Sequence, residues 1–407
     1  MTTPDTEAST GLSRRETIAW RNSIFVLFLV AGIVIASWVS RLPAVRDSLG
    51  IRVDQVGILL LAMAIGSIAG LTFSSHIIAR LGARRTMVAG YFVIAVGIAA
   101  AGVGASISNF ALTFGGLVFT GIAMGISDVS INVSGAANER SLGKSIMPIF
   151  HAFFSIGAML GAAVGYFAES AGVPIVLHLG VIAVITAAST IAVRFAQSEH
   201  VIEPGGQAVA HDDHSKTWRG RLGIWRDPRT LLIGVLVLAA AFAEGSANDW
   251  VALAMVDSHG ASNASGALVF GVFVTAMTIG RLGGVFLLDR FGRVVVLRAS
   301  FILAALGLVV FIFVPDPVFA AAGVIAWGLG SALGFPVGMS AAADDPKTAA
   351  ARVSAVATIG YFAFLVGPPL IGYLGQQVGL LSALLVVLGL CAIGAIVAGA
   401  AKEPSRV

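Results

Sequence analysis

Long apolar runs alternate with short charged or turn-forming clusters along the whole chain. A hydrocarbon layer about 30 Å thick takes about 20 helical residues to cross. By that measure the pattern predicts twelve spans, at 20–42, 55–78, 86–105, 110–136, 145–168, 173–195, 230–256, 265–288, 294–314, 318–342, 350–376 and 380–400. The first run follows Arg14 and Arg15, as a signal peptide would. It is longer than a signal core and has no small-residue cleavage site before Arg41, so it is read as a retained first helix.

Composition agrees: of 407 residues, 57% are hydrophobic and 11% are charged, against about a quarter charged in soluble chains. Twelve spans leave too little chain for a large soluble domain. The fold class is therefore an all-α polytopic membrane protein of twelve transmembrane helices in two six-helix halves, with residues 1–196 and 229–407 as the halves and 197–228 as a linker. The linker holds Pro204, Gly205, Gly206 and three histidines, His200, His211 and His214. Without a fixed ligand spacing, these histidines read as solvated chain and not as a metal site. The single cysteine, Cys391, excludes a disulfide framework.

Net charge is +4, but the basic residues form no nucleic-acid patch. With the N-terminus inside, 21 of the 25 Lys and Arg fall on the cytoplasmic side. Arg41, Arg46 and Arg52 fall outside, and Arg281 lies within a helix. The positive-inside rule thus places both termini and the linker in the cytoplasm. No nucleotide-binding loop follows a strand anywhere, so neither a nucleotide nor any other cofactor is expected.

The two sets of six spans repeat one another. Arg80-Leu81-Gly82 is answered by Arg290-Phe291-Gly292; Gly121 and Gly125 by Gly330 and Gly334; Gly165-Tyr166 and Gly172 by Gly372-Tyr373 and Gly379. Asp289-Arg290-Phe291-Gly292-Arg293 resembles the signature loop of the major facilitator superfamily, an Asp-Arg-x-Gly-Arg turn between two helices on the cytoplasmic side. In the earlier copy Ala79 stands where the Asp is expected. Glycine permits the sharp turn, and the Asp is expected to neutralise nearby arginines or meet a helix N-terminus.

A finer likeness lies in Gly125-Ile126-Ser127-Asp128, Asn132 and Phe150-His151-Ala152-Phe153-Phe154-Ser155-Ile156-Gly157. These residues resemble the fourth and fifth helices of fucose-type and glucose/galactose-type proton symporters, and of other bacterial inner-membrane proteins of the superfamily. Those symporters carry an acid in helix one, where this chain has Ser37, Ser40 and Arg41. A drug/proton antiporter would carry a Gly-Pro pair in the fifth span, which here reads Gly157, Gly161, Gly165 without proline. The resemblance implies a multi-pass carrier of the bacterial cell membrane, working by alternating access, with the first, fourth, seventh and tenth spans around a central cavity. It implies a small-molecule solute, a sugar or other polar metabolite, and protons as partners, with lipid around the chain. Efflux by antiport, a non-transporting sensor and a membrane-embedded enzyme are the other readings; for an enzyme, Asp128 with His151 is the one candidate pair.

Each ionisable side chain near the middle of a span costs about 2.5–3.5 kcal/mol on insertion scales, and so needs a cavity or a partner. Asp128 in the fourth span, with Asn132 one turn away and His151 at similar depth in the fifth, forms the expected proton-coupling group. Glu244 and Asn248 in the seventh share a helical face, with Trp250 near that level. With Arg281 and Trp38 they form the expected solute site, Arg281 either binding an anion or reaching to the cytoplasm. Arg41 and Asp249, counted along their helices to the outer surface, form the expected outer gate. His76 and His178 sit at span ends, where interfacial solvation suffices. Structural ion pairing between helices is the alternative for every one of the acids.

The orientation has a direct check. A His211→Cys variant in intact cells should resist membrane-impermeant thiol reagents; ready labelling would reverse the assignment.

Overall fold

In lipid an isolated segment satisfies its own backbone only as a helix, and each apolar run does so. The computed structural model describes residues 13–144, 146–196, 224–345 and 348–403. Twelve helices among them are long and apolar enough to cross a membrane. In chain order they are α1 (Arg14–Ser40), α2 (Val53–Leu81), α3 (Ala83–Ser106), α4 (Phe110–Leu142), α5 (Met147–Ser170) and α6 (Ile175–Phe195), then α7 (Pro228–His259), α8 (Asn263–Phe291), α9 (Arg293–Phe313), α10 (Pro317–Ala342), α11 (Ala351–Val378) and α12 (Leu380–Ala401). A short helix, Leu42–Leu49, follows α1 at the outer end. The predicted linker lies almost wholly outside the described residues, as do its histidines.

Several helices outrun their apolar stretch because capping sets their ends. α1 begins at Arg14 because the Ser13 hydroxyl accepts from the Glu16 amide while the Glu16 carboxylate accepts from the Ser13 amide. α7 begins at Pro228, where Asp227 caps the Thr230 amide at 3.2 Å. α10 is not continuous: it breaks at Ala332 and Leu333 between Ser331 and Gly334. Pro336 has no N–H to give to the Ala332 carbonyl, so the ladder is interrupted there. Its repeat partner α4 runs unbroken for 33 residues.

Glycine contacts hold each half together. A Cβ added at Gly157 of α5 would lie 2.0 Å from the Leu29 carbonyl oxygen of α1, and one at Gly32 would lie 2.1 Å from that of Phe154. Gly66 and Gly121 stand in the same relation between α2 and α4, and Gly307 and Gly323 between α9 and α10. Backbones approach this closely only where no side chain intervenes. The repeat is equally plain at the two turns that join α2 to α3 and α8 to α9: Gly82 has φ 76°, ψ 159° and Gly292 has φ 75°, ψ 163°, a conformation that residues with a Cβ rarely adopt.

Between the halves, α2 packs on α11 and α5 on α8, pairs that the repeat relates to one another. The first meeting is close: a Cβ at Gly57 would fall 2.7 Å from the Pro368 carbonyl oxygen.

Gly157→Val forces α1 and α5 apart, so its cost should reach or exceed the upper end of the about 1–3 kcal/mol typical of overpacking. Thermal unfolding in detergent, followed by labelling of the buried Cys391, reads this as a lowered midpoint. Gly180→Ala, with nothing within 4 Å of the new methyl, should leave it unchanged or slightly raised.

Candidate functional site: a cavity between the halves

The interface opens at mid-depth into a cavity of about 370 Å³. Its walls come from α1 (Trp38, Val39), α2 (Met63, Ser67), α5 (Phe154, Ser155), α7 (Glu244, Asn248, Asp249), α8 (Phe270, Arg281) and α11 (Tyr361, Phe364). The expected quartet of lining spans is half corrected. α1 and α7 take part, but no described residue of α4 or α10 lines this space. The contacts of α2 with α11 and of α5 with α8 bring those four helices to the cavity instead. Trp327 of α10 is sealed in its own half, donating to the Ala243 carbonyl at 3.0 Å and packing against Phe273 and Phe311.

Residues 244, 245, 248 and 249 line the cavity because positions i, i+1, i+4 and i+5 share one helical face. Trp250 does not join them. Six residues from Glu244 is about 240° around the axis, and its ring lies buried against Gly372 of α11. Its expected part in solute binding is therefore corrected to packing, whereas Trp38 does line the cavity.

Arg281 neither waits for an anion nor reaches to the cytoplasm. Its Nη2 sits 2.8 and 2.9 Å from the two Glu244 oxygens, so the basic side chain of the cavity neutralises one of its two acids. Asp249, half-buried, makes no hydrogen bond or ion pair with any described residue.

The expected gate pair, Arg41 with Asp249, is not formed. Arg41 Nε lies 2.8 Å from Glu169 of α5, and its Nη2 donates to the Val173 carbonyl at 2.8 Å, both within its own half. Asp249 is ten residues, about 15 Å, short of the outer end of α7, because that helix runs on to His259. The halves are instead clasped one level further out. Arg46, on the short helix, pairs with Asp257 of α7; Asn263 donates to Asp47 at 3.2 Å, and the Val53 amide donates to Gln376 at 3.2 Å. Burial alone would lower the Arg46 pKa, yet hydrogen bonds and charge from Asp257 and Asp47 raise it on balance. Sequence reading passed over Arg46 and Asp257 as loop charges; their only signal is that both flank the outer ends of neighbouring spans.

Toward the inner end, Asn132 Nδ2 donates to the Asp128 carbonyl at 2.8 Å and to its carboxylate at 3.2 Å. Asp128 and His151 are both exposed. They lie within electrostatic reach of one another, His151 also reaches Arg281, and Asp128 reaches Tyr361 of α11. The Asn132–Asp128 pair of the first half and the Arg281–Glu244 pair of the second are hydrogen-bonded, and His151, bonded to neither, lies within electrostatic reach of both. Phe28 meets the His151 ring edge-on at 5.0 Å.

The signature loop differs from expectation at its acid. Asp289 is exposed and makes no pair among the described residues, and Arg290 lies over the Phe291 ring. Arg293 pairs instead with Asp344, at the inner end beyond α10, at 2.6 Å, and Arg229 at the start of α7 shares that carboxylate at 2.8 Å. Asp344 has the role expected of Asp289 because the turn at Gly292 carries Arg293 back over α10, where Ser340 also accepts from it.

Two helical repeats around a cavity clasped at one end define a membrane carrier. The chain belongs to the Major Facilitator Superfamily, whose sequence model matches residues 23–247 and 234–406. An uncharacterised transporter of Sinorhizobium fredii is 30% identical over 388 residues, covering 92% of this chain and 98% of that one. Among solved structures, the nucleoside transporter NupG superposes with a TM-score of 0.75 at 14% identity, covering 94% of this chain and 98% of its own. The fucose:proton symporter FucP of E. coli does so at 0.62 and 16%, covering 96% and 100%. At these identities the two structures share the fold.

The clasp makes a measurable prediction. Asp257→Asn and Arg46→Gln should each raise outside labelling of a Val39→Cys probe several-fold, since a partly exposed pair is worth about 0–1 kcal/mol. The double variant should go no further than either single. Additive effects would show that the two charges act independently.

Proposed function

We propose that this transporter moves a small polar solute together with protons, and that Glu244, Arg281, Asn248 and Trp38 contact the solute while Asp128, His151 and Asn132 handle the proton. The observation that carries this reading is the position of His151 between two hydrogen-bonded pairs on opposite halves, within electrostatic reach of both Asp128 and Arg281. The shared fold with FucP, a proton symporter, is consistent with it.

The geometry supplies a sequence of events. With the outer clasp closed, Asp128 and His151 are open to the inner side. A proton leaving or joining Asp128 changes the charge facing His151, and through it the balance between Arg281 and Glu244. The Glu244 carboxylate keeps acceptor sites beyond its two contacts with Arg281 and accepts a solute hydroxyl more strongly as that hold weakens, whereas Asn248 both donates and accepts without any such change. Loading of the solute site is thereby tied to the protonation of an acid on the opposite half. Cavity size agrees with a metabolite: about 370 Å³ lies at the small end of the 300–1,000 Å³ typical of ligand pockets. Signalling without transport would need no cavity shared by two halves.

Asp128→Asn keeps the hydrogen bonds with Asn132 but cannot carry a proton. In proteoliposomes it should abolish gradient-driven accumulation while sparing exchange of internal for external solute. Accumulation with unaltered pH dependence would remove Asp128 from the coupling step.

A further inference from the structure

Among the described residues, three charged side chains line the cavity: Glu244, Asp249 and Arg281. Glu244 and Arg281 cancel as an ion pair, leaving Asp249 with no hydrogen-bond donor and no cation among the described residues. The other cations near the outer end are committed elsewhere, Arg41 to Glu169 and Arg46 to Asp257 and Asp47. The cavity therefore holds one acid at membrane depth with no counter-charge, and its ionised form is costly there unless a cation takes the place that a proton would otherwise fill. Around it the wall is aromatic and aliphatic: Trp38, Phe270 and Phe364 share the cavity, and ring faces attract a cation as they do not attract a neutral group. Asn248, the residue before Asp249, adds an amide able to serve a hydroxyl.

From this charge inventory we infer that the solute carries a single protonated amine, which docks on Asp249, while its hydroxyl-bearing part faces Asn248 and the Glu244–Arg281 pair. The inference rests on the reading of this cavity as the solute site. An anionic solute would meet the surplus charge of Asp249 with no free cation to offset it. A neutral sugar would bring that carboxylate no counter-charge. A monocationic solute leaves the loaded cavity neutral, so it can cross between sides without exposing a lone charge to the apolar walls.

The test uses the full-length protein in detergent and matched solutes that differ only in the amine: glucosamine against glucose, ethanolamine against ethylene glycol, and tyramine against tyrosol. Ligand binding raises the unfolding midpoint by mass action, read through labelling of Cys391. At least one amine should stabilise the wild type at a concentration roughly tenfold or more below its alcohol partner. Asp249→Asn should erase that preference, and Asp249→Glu should retain it; the unliganded midpoint and elution volume of each variant report folding separately. Equal response to amine and alcohol, a preference that survives Asp249→Asn, or no response of the wild type to any amine would overturn the proposal. An amine preference that depends on Asp249, in a protein that accumulates nothing down a proton gradient, would leave this assignment standing and overturn the coupling proposed for Asp128.

Discussion

Lipid gives helices no hydrophobic reason to associate, and the architecture depends on how the chain answers that constraint. Each half is built on backbone-to-backbone contact at glycine, as where Gly157 meets Leu29 or Gly121 meets Met63. Dispersion and weak polar contact at such short range replace the drive that water supplies in soluble proteins. The seam between the halves is different. It has a close meeting of this kind at the outer end, Gly57 against Pro368, and otherwise ion pairs, aromatic walls and a cavity. Contacts that resist shear hold each half, and contacts that can be exchanged for water hold the halves to each other.

Charge follows the same division. The pairs that hold a half together, Arg41 with Glu169 and Arg293 with Asp344, join helices of one half. The Arg46 and Asp257 pair spans the halves at the edge, where solvent is near enough to replace it. Inside the cavity, Glu244 and Arg281 are neighbours on α7 and α8, so their charges travel together whatever the opposite half does.

Much of this was legible in the sequence. Apolar runs located all twelve helices, and the pairing of Gly82 with Gly292 foretold two turns of the same backbone geometry. Glu244 was recognisable because an acid at membrane depth needs a cavity or a partner, and it has both. What failed was depth and facing. Depth along α7 was counted from the inner end of its apolar run, which carried Asp249 to the surface, whereas the helix continues ten residues beyond it to His259. Trp250 was judged by its level when its bearing around the axis decides its contacts. Asp344 was invisible for a related reason: which acid meets Arg293 depends on where a loop folds back in space, and no spacing along the chain encodes that. The lining by α2, α5, α8 and α11 likewise follows from how two halves lean, which is a property of their contact and not of any one helix.

The break in α10 sets the halves apart mechanically. α4 transmits force along an unbroken ladder of hydrogen bonds, whereas its counterpart has a joint at Ala332 and Leu333, where the missing Pro336 donor lowers the resistance to bending. The two copies of this helix thus differ in stiffness: α4 is a rod and α10 a jointed limb. The two copies do not bend alike. Bending of α10 collects at the joint, between the part that carries Trp327 and the part that ends beside Asp344.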